Sequence, residues 1–333
     1  MKLFAQMKTR FSTQKISRDS VQQNLAAYGY FAGWSIVRRL PLPFARWSFD
    51  RLADLVSRNG KGPEQLRKNL IRVVGAENVT RSLVRDSMRS YFRYWLEAFR
   101  LPTMQYESNL PARLAAGVSG RDDFEDALAR GNGVVLALPH TGNWDMAGAF
   151  VVAHYGQFAT VAERVKPESL FDAFVEYRNS MGFDVIPLTG GDTAPFDYLK
   201  QVLDDGGVVA LLCERDLKNS GVIVDFFGEP AAMAAGPAVL ARETGATLFA
   251  VHSWYQGEDD GESPSWGLAA THAISVTDVE STTQRLADAF AENIAGTPQD
   301  WHMLQPVWLS DLDPARMSQP QLEALQAYRA DDC

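Results

Sequence analysis

The chain has 333 residues, of which 46% are hydrophobic, and these values are typical of a globular protein with one large α/β domain or two smaller ones. Its two cysteines, Cys213 and Cys333, lie far apart in the sequence and imply no disulfide framework, so a reducing compartment is expected. No stretch approaches the roughly 18 uninterrupted apolar residues of a membrane-spanning helix, and residues 1–20 lack the apolar run of a signal peptide.

The formal net charge of −9 is distributed unevenly along the chain. Residues 1–100 contain 19 Lys and Arg against 7 Asp and Glu, a net charge of +12, whereas the remainder contains 13 against 34, a net charge of −21. The basic part interleaves arginines with aromatic residues, namely Tyr28, Tyr30, Phe31, Trp34, Arg38, Arg39, Phe44, Arg46, Trp47 and Arg51. We expect an anionic membrane surface as its partner and no nucleic acid, because rings lie at headgroup depth and guanidinium groups meet lipid phosphates. A basic helical surface that is merely solvated is the alternative.

The first predicted elements are helices. Residues 1–19 are predicted to form a flexible basic N-terminus, and residues 20–100 a helical part that faces the membrane. Between residues 78 and 100 the apolar side chains recur with a period near 3.6 residues, which predicts a helix. Leu101-Pro102 is expected to end this helix, because proline cannot donate the backbone hydrogen bond that a helix interior needs.

From about residue 117 the pattern changes to an alternation of strands and helices. It predicts strands over residues 134–138, 158–162, 184–188, 208–213, 222–227, 247–255 and 268–276, with an exposed acidic hairpin loop over 258–262. This alternation favours an α/β fold with a mainly parallel central sheet, flanked by helices on both faces, after an N-terminal helical segment. Residues 20–310 are assigned to one domain whose sheet core covers 117–310, and residues 311–333 to a C-terminal helix and tail.

Ionisable residues follow three of these strands directly. His140, Glu163 and Glu214 each come within two residues of the end of a predicted strand. In open α/β sheets ligands bind at the carboxyl ends of the strands, so these three side chains are predicted to converge on one rim. For each residue alone, the alternative is the first solvated position after a buried strand.

His140 and Asp145 form the most informative pair in the sequence. On one continuous helix, positions five apart diverge by about 140°, so the two approach each other only if His140 precedes a helix that begins near Asn143. Gly142 permits a sharp entry to that helix, whose first amide groups are placed to stabilise an oxyanion. A histidine oriented by a carboxylate takes a proton from an alcohol near neutral pH, which favours acyl transfer to a hydroxyl. A satisfied core histidine is the alternative for His140.

Other chemistries lack their motifs in this chain. It contains no phosphate-binding P-loop, no Gly-x-Gly-x-x-Gly after the first strand and no Gly-x-Ser-x-Gly nucleophile elbow. The five histidines show no His-Glu-x-x-His spacing and there are no paired cysteines, so we expect no metal site. A direct, base-assisted transfer without a covalent acyl-enzyme remains.

Several stretches together resemble the lipid A biosynthesis (HtrB-type) acyltransferase superfamily, whose hallmark is His-x-x-x-x-Asp or Glu. Within that superfamily the sequence looks most like the phosphatidylinositol mannoside acyltransferases. The similarity covers roughly residues 20–310. Its matching stretches are Leu138-Pro139-His140-Thr141-Gly142-Asn143-Trp144-Asp145, Glu163-Arg164, Tyr177-Arg178-Asn179, Glu214-Arg215-Asp216-Leu217, Val224-Asp225-Phe226-Phe227-Gly228 and Asp300-Trp301-His302-Met303-Leu304-Gln305.

The resemblance implies a peripheral enzyme on the cytoplasmic face of the cell membrane. It would transfer a long, palmitoyl-like acyl chain from acyl-CoA, a co-substrate, to the 6-hydroxyl of a mannose of phosphatidylinositol mannosides, with no resident cofactor. His140 would be the general base, Glu214 its direct partner and Asp145 a residue that orients the charge network. Glu163 and Arg178 match further positions of the family and are predicted to bind substrate.

Two alternatives stay open at this point. One is a lipid A-type acyltransferase with another glycolipid acceptor, which should carry an N-terminal apolar anchor and a basic body. The other is a catalytically silent membrane-binding protein that keeps the fold.

Overall fold

The computed structural model describes residues 33–164, 168–190, 194–257 and 265–331. The predicted flexible N-terminus and the predicted acidic loop over 258–262 lie outside these residues. The α-helices are α1 (Leu42–Val56), α2 (Glu64–Val74), α3 (Arg81–Met104), α4 (Leu110–Ala116), α5 (Arg121–Arg130), α6 (Trp144–Tyr155), α7 (Glu168–Ser180), α8 (Pro195–Asp204), α9 (Gly236–Thr244), α10 (Val279–Gly296) and α11 (Gln319–Asp331). The strands are β1 (Val118–Ser119), β2 (Val134–Leu138), β3 (Phe158–Ala162), β4 (Phe183–Pro187), β5 (Val208–Leu212), β6 (Val222–Phe226), β7 (Glu229–Met233), β8 (Thr247–Tyr255) and β9 (Trp266–Ala270).

A seven-stranded sheet forms the centre of the molecule, in the order β1-β9-β8-β2-β5-β3-β4. The five strands from β8 to β4 are parallel, whereas β9 pairs antiparallel with β8 and carries β1 beside it. The prediction of a mainly parallel sheet with helices around it is confirmed. Because the central strands share one direction, their carboxyl ends lie along one edge of the sheet.

The two faces of the sheet bury separate hydrophobic clusters. In β2 the side chains alternate, so Val135 and Ala137 join the cluster under α8, α9 and α10, while Leu136 and Leu138 join the cluster under α4 to α7. Both faces are therefore apolar, which explains why β2 reads in the sequence as an unbroken apolar run and is buried throughout.

The N-terminal helices form a smaller cluster beside the sheet. Ala53 of α1, Leu66 and Leu70 of α2 and Met88 of α3 are buried against one another. The expected end of α3 at Leu101-Pro102 is wrong, because the helix continues through Pro102 to Met104. Leu101 and Met104 are buried in the cluster under α6, and this burial offsets the backbone hydrogen bond that Pro102 lacks. Among the described residues, no helix is both long and apolar enough to cross a membrane.

Two strand predictions also need correction. The strand predicted over 268–276 ends at Ala270, because its regular pairing with β8 ends there. Beyond Ala270 the chain still runs beside β8 but makes only separate contacts: the amide of Thr271 donates to the carbonyl of Ala250, and that of Ile274 to the carbonyl of Leu248. The strand β7 is not predicted at all, since its sequence Glu-Pro-Ala-Ala-Met has low β propensity. It pairs with β6 across a two-residue turn in which both residues, including Gly228, have positive φ.

Arg72 ties α2 to the β6–β7 hairpin and to the C-terminal part of the chain. Its guanidinium is 14% exposed, donates to Glu229 and Asp311 at 2.8 Å each and to Ser310 at 2.9 Å, and lies 4.7 Å from the centroid of the Trp308 ring. Removing the guanidinium would leave Glu229 without its cation and Asp311 with Lys68, at 3.6 Å, as its remaining cation.

We therefore expect Arg72→Met to lower the free energy of unfolding by about 3 kcal/mol, because the charges that remain are poorly solvated. Urea denaturation followed by circular dichroism measures the change. Arg316→Met is the matched control, since Arg316 is 86% exposed and its 3.9 Å pair with Asp313 should contribute less than about 0.5 kcal/mol. Equal effects of the two substitutions would contradict the importance of the buried network.

Candidate active site

His140 lies in the tight loop that joins β2 to α6. Asn143 caps α6, its side-chain oxygen accepting the backbone N–H of Met146 at 3.0 Å. Gly142 has a φ of 50°, and a Cβ at this position would lie 2.6 Å from backbone atoms of Ser253 in β8. Glycine is therefore required here, because the loop packs directly on the neighbouring strand.

The imidazole of His140 contacts the carboxylate of Glu214, the residue that follows Cys213 at the end of β5. Nδ1 lies 2.8 and 2.9 Å from the two carboxylate oxygens, and the backbone N–H of His140 donates to the first of them at 2.7 Å. The Glu214 side chain is fully buried, whereas that of His140 is 35% exposed. With Nδ1 donating to the carboxylate, Nε2 carries the lone pair and is available to a substrate hydroxyl.

Glu214 keeps its negative charge although its side chain is buried. Burial alone raises the pKa of this carboxyl, but the charge of the His140 imidazole and the hydrogen bonds from its side chain and backbone outweigh burial, so the pKa lies below its usual value. Glu214 is therefore a carboxylate at neutral pH, suited to stabilise an imidazolium at His140.

Asp145 faces a different set of partners. Its carboxylate accepts hydrogen bonds from Arg178 at 2.8 and 3.2 Å and from the Tyr94 hydroxyl at 3.1 Å. Burial alone lowers the pKa of the Arg178 guanidinium, but the charge of Asp145 outweighs it and the pKa is raised. Asp145 and His140 both line one cavity, although they belong to two separate charge pairs, so the role of Asp145 in orienting the network stays a prediction.

Glu163 is exposed at the end of β3 and lines the same cavity. Four of the five predicted residues therefore line this cavity, namely His140, Asp145, Arg178 and Glu163. The fifth, Glu214, is fully buried and contacts the imidazole of His140. Binding of substrate by Glu163 and Arg178 remains a prediction.

The cavity has a volume of about 800 Å³, within the range of ligand sites in proteins. It opens at the carboxyl ends of the strands and continues between apolar side chains on both faces of the sheet. One arm runs between α6 and the sheet, past Leu138 and Val151, and the other reaches Leu199 and Leu240 of α8 and α9. Such lining suits a hydrocarbon chain with its polar end near His140.

Residues 300–302 are hydrogen-bonded to the His140 loop. The amide of Gly142 donates to the carbonyl of Asp300 and the amide of His302 to the carbonyl of His140, each at 2.8 Å. The Ser90 hydroxyl donates to the Asp300 carboxylate at 2.6 Å and lies 2.9 Å from Nε2 of His302. Ser90, Asp300 and His302 together fix the backbone of the loop. Asp300 and His302 belong to one of the stretches that resemble the family, whereas nothing in the sequence marks Ser90.

Glu97 is a further residue of the site that the sequence pattern does not reveal. It is buried in the middle of α3 and accepts hydrogen bonds from the Asn143 amide at 2.7 Å, the Trp266 indole at 2.8 Å and the Arg93 guanidinium at 2.8 Å. Because Asn143 caps α6, Glu97 fixes the start of the helix that follows His140. In the sequence Glu97 lies among the aromatic residues of α3, and the spacing of the apolar positions does not indicate that it is buried.

The ring of His302 is buried and neutral, which makes stability depend on pH. Burial, acting together with the charge of His140, lowers the pKa of His302 to about 3. Since the unfolded chain binds a proton near the ordinary histidine pKa of about 6.5, unfolding becomes more favourable as the pH falls from there towards 3.

From pH 7.5 to pH 5 we expect the wild-type protein to lose about 2 kcal/mol more of its free energy of unfolding than His302→Gln does. Denaturant titrations at a series of pH values measure this difference. His272→Gln is the control, because the His272 ring is 99% exposed and its surface pair with Asp123 should change the pH dependence by less than about 1 kcal/mol. If the free energy of unfolding of the wild type and of His302→Gln fell by the same amount with pH, His302 would not remain neutral in the fold.

A sequence model of the bacterial lipid A biosynthesis acyltransferase family matches residues 13–310 of this chain. A protein of Mycobacterium tuberculosis (strain ATCC 25618 / H37Rv), named phosphatidylinositol mannoside acyltransferase, is 50% identical over 309 residues, which are 92% of this chain and 95% of the relative. A protein of the same name from Mycolicibacterium smegmatis is 52% identical over 292 residues, 86% of this chain and 93% of the relative. The chain therefore belongs to the bacterial lipid A biosynthesis acyltransferase family.

Proposed function

We propose that this acyltransferase moves a long, palmitoyl-like acyl chain from acyl-CoA to the 6-hydroxyl of a mannose of phosphatidylinositol mannosides. The observation that carries the proposal is the His140–Glu214 pair at the mouth of an apolar cavity of about 800 Å³. The acceptor is proposed from the names of the relatives, which are about half identical over more than four-fifths of this chain.

In the proposed reaction Nε2 of His140 takes the proton of the acceptor hydroxyl as its oxygen attacks the thioester carbonyl. The tetrahedral intermediate collapses with breakage of the C–S bond, and the imidazolium returns the proton to the departing CoA thiolate. Glu214 holds the imidazole in position and stabilises the imidazolium between these two steps. Oxygen replaces sulfur on the acyl carbon directly, so the enzyme carries no covalent acyl group.

The donor is proposed to lie across the carboxyl ends of the strands, with its acyl chain in the apolar cavity. Arg215 and Lys218 line the mouth and are suited to the phosphates of CoA. Their loop is fixed by Asp216, whose carboxylate accepts the backbone N–H groups of Lys218 at 2.9 Å and Gly221 at 2.7 Å. No resident cofactor is needed for this chemistry, since the thioester is already activated.

The acceptor is proposed to approach from the side of α3 and α7. Arg178 is held by Asp145, is 19% exposed and lines the cavity, so its guanidinium can meet a phosphate or a sugar hydroxyl. Glu163 at the rim is suited to accept hydrogen bonds from sugar hydroxyls. The Asp145–Arg178 pair would then position substrate, while His140 and Glu214 perform proton transfer.

The proposed membrane contact is the exposed face of α1. Phe44, Trp47 and Leu55 are 53%, 56% and 74% exposed, and Arg51 lies on the same helix with its side chain 64% exposed. Apolar and aromatic side chains beside a cation are typical of a helix that lies in the interface of an anionic membrane. We therefore propose peripheral binding to the cytoplasmic face of the cell membrane through residues 20–100.

The test of the acceptor incubates the purified protein with palmitoyl-CoA and a panel of glycolipids. Released CoA and the acylated product are followed by mass spectrometry, and we expect one acyl chain on a mannose of the phosphatidylinositol mannoside. Acylation of a lipid A precursor in place of the mannoside would favour the alternative acceptor. Release of no CoA with any acceptor would favour a catalytically silent protein.

His140→Ala should lower kcat by at least about 100-fold, because the acceptor hydroxyl loses the group proposed to take its proton. Glu214→Gln should lower kcat by roughly 100-fold, since the imidazolium loses its counter-charge. Steady-state kinetics measure both, with circular dichroism as the check on folding. His272→Ala, which replaces an exposed histidine, should retain wild-type kcat. Full activity of His140→Ala would rule out base catalysis by this residue.

For the membrane contact, we expect the double variant Trp47→Ser with Leu55→Ser to bind anionic vesicles at least about tenfold more weakly, because each side chain loses its apolar burial. Vesicle sedimentation measures binding, with neutral-lipid vesicles as the control. Wild-type binding should also weaken as salt is raised, since surface charges are screened. If vesicle binding did not change with lipid charge, with salt or with the two substitutions, α1 would be excluded as the contact.

A further inference from the structure

The cavity at His140 follows one face of α6 for the length of that helix. Trp144, Ala147, Gly148, Val151 and Tyr155 all line it, and their spacing of three or four residues places them on one side of the helix. Because α6 contains 12 residues, this arm extends about 17 Å from the catalytic loop.

The opposite wall of the arm is also apolar. It is formed by strands of the sheet and by α5, through Phe124, Leu136, Leu138, Val251 and Ala270. Apolar walls on both sides and the His140–Glu214 pair at one end suit an acyl chain whose thioester lies beside His140. This assignment of the arm rests on the proposed function.

The far end of the arm differs from its walls. There Arg121 and Tyr155 line the cavity and form a hydrogen-bonded cluster with Glu125. The Tyr155 hydroxyl donates to Glu125 at 2.6 Å, and the Arg121 guanidinium donates to Tyr155 at 3.1 Å and to Glu125 at 3.0 Å. Arg121 and Glu125 are 37% and 45% exposed, so the cluster lies where the arm meets the protein surface.

Arg121 also covers the last apolar part of the arm. Its guanidinium carbon lies 5.6 Å from the centroid of the Phe150 ring and 5.9 Å from that of Tyr155. A hydrocarbon chain that extended further would have to separate these charged and hydroxyl groups without replacing their hydrogen bonds. A shorter chain would leave apolar walls without contacts.

We propose that the Arg121–Glu125–Tyr155 cluster closes the far end of the acyl arm and sets the longest acyl chain that the enzyme accepts. Up to this limit, each methylene added to the donor is buried in the arm, and this burial should raise kcat/KM about fourfold. Beyond the limit the gain is lost, because the methyl end meets the polar cluster.

The test compares acyl-CoA donors of 12, 16 and 20 carbons in three variants. Arg121→Ala with Glu125→Ala removes the charged cover and should raise the ratio of kcat/KM for the 20-carbon donor to that for the 16-carbon donor by about tenfold. Val151→Phe fills the arm midway and should raise the ratio of the 12-carbon to the 16-carbon donor by a similar factor. Lys200→Ala with Glu243→Ala removes an ion pair of matching exposure, 38% and 44%, that does not line the cavity, and should keep the wild-type ratios.

The same donors are also tested for binding without acceptor, by the rise in Tm that each produces. One outcome is that the preferred donor length in binding shifts in the Arg121/Glu125 and Val151 variants in the directions given above, while no acyl chain is transferred to mannosylated phosphatidylinositol. This outcome would contradict the proposed acceptor and support the closing cluster. Normal transfer with unchanged length ratios in the Arg121/Glu125 variant would overturn the closing cluster and leave the proposed function standing. Unchanged ratios in the Val151 variant as well would show that the acyl chain lies outside this arm.

Discussion

The buried carboxylate of Glu214 is the group on which the geometry of the site depends. A charge that is fully shielded from water costs several kcal/mol unless it is paired, and here both the side chain and the backbone N–H of His140 satisfy it. Any movement of the loop would remove two hydrogen bonds at once from an unsolvated charge. The imidazole is therefore held in place without a substrate, so in the proposed reaction little free energy would be spent on orienting it.

The separation of the two charge pairs follows from the same constraint. Asp145 lies only five residues after His140, yet its carboxylate is held by Arg178 and Tyr94, which come from α7 and α3. Two buried carboxylates that shared one imidazole would leave one negative charge without compensation. Because each carboxylate has its own cation or potential cation, the site holds both charges near the cavity without raising the cost of burial.

How much of this site the sequence predicts depends on how local each contact is. His140, Glu163 and Glu214 could be placed on one rim because the apolar runs before them mark parallel strands, and parallel strands end at one edge. Ser90 and Glu97 lie inside α3, more than 40 residues before Asp300 and Asn143, the site residues that they contact. No local periodicity distinguishes them from other helix positions. The sequence does not predict the continuation of α3 through Pro102 for a related reason, since burial in a distant cluster overrides a local preference.

The helix α3 connects the proposed membrane contact with the candidate active site. Its packing against α1 places it beside the exposed aromatic face, and its residues Tyr94 and Trp95 line the cavity near Trp144. The acidic remainder of the chain, with a net charge of −21, would be repelled by an anionic surface, whereas the basic first hundred residues would be attracted to it. The proposed orientation thus follows from charge: α1 lies on the membrane, and a glycolipid with its tails in the bilayer can present its sugar to His140 along α3.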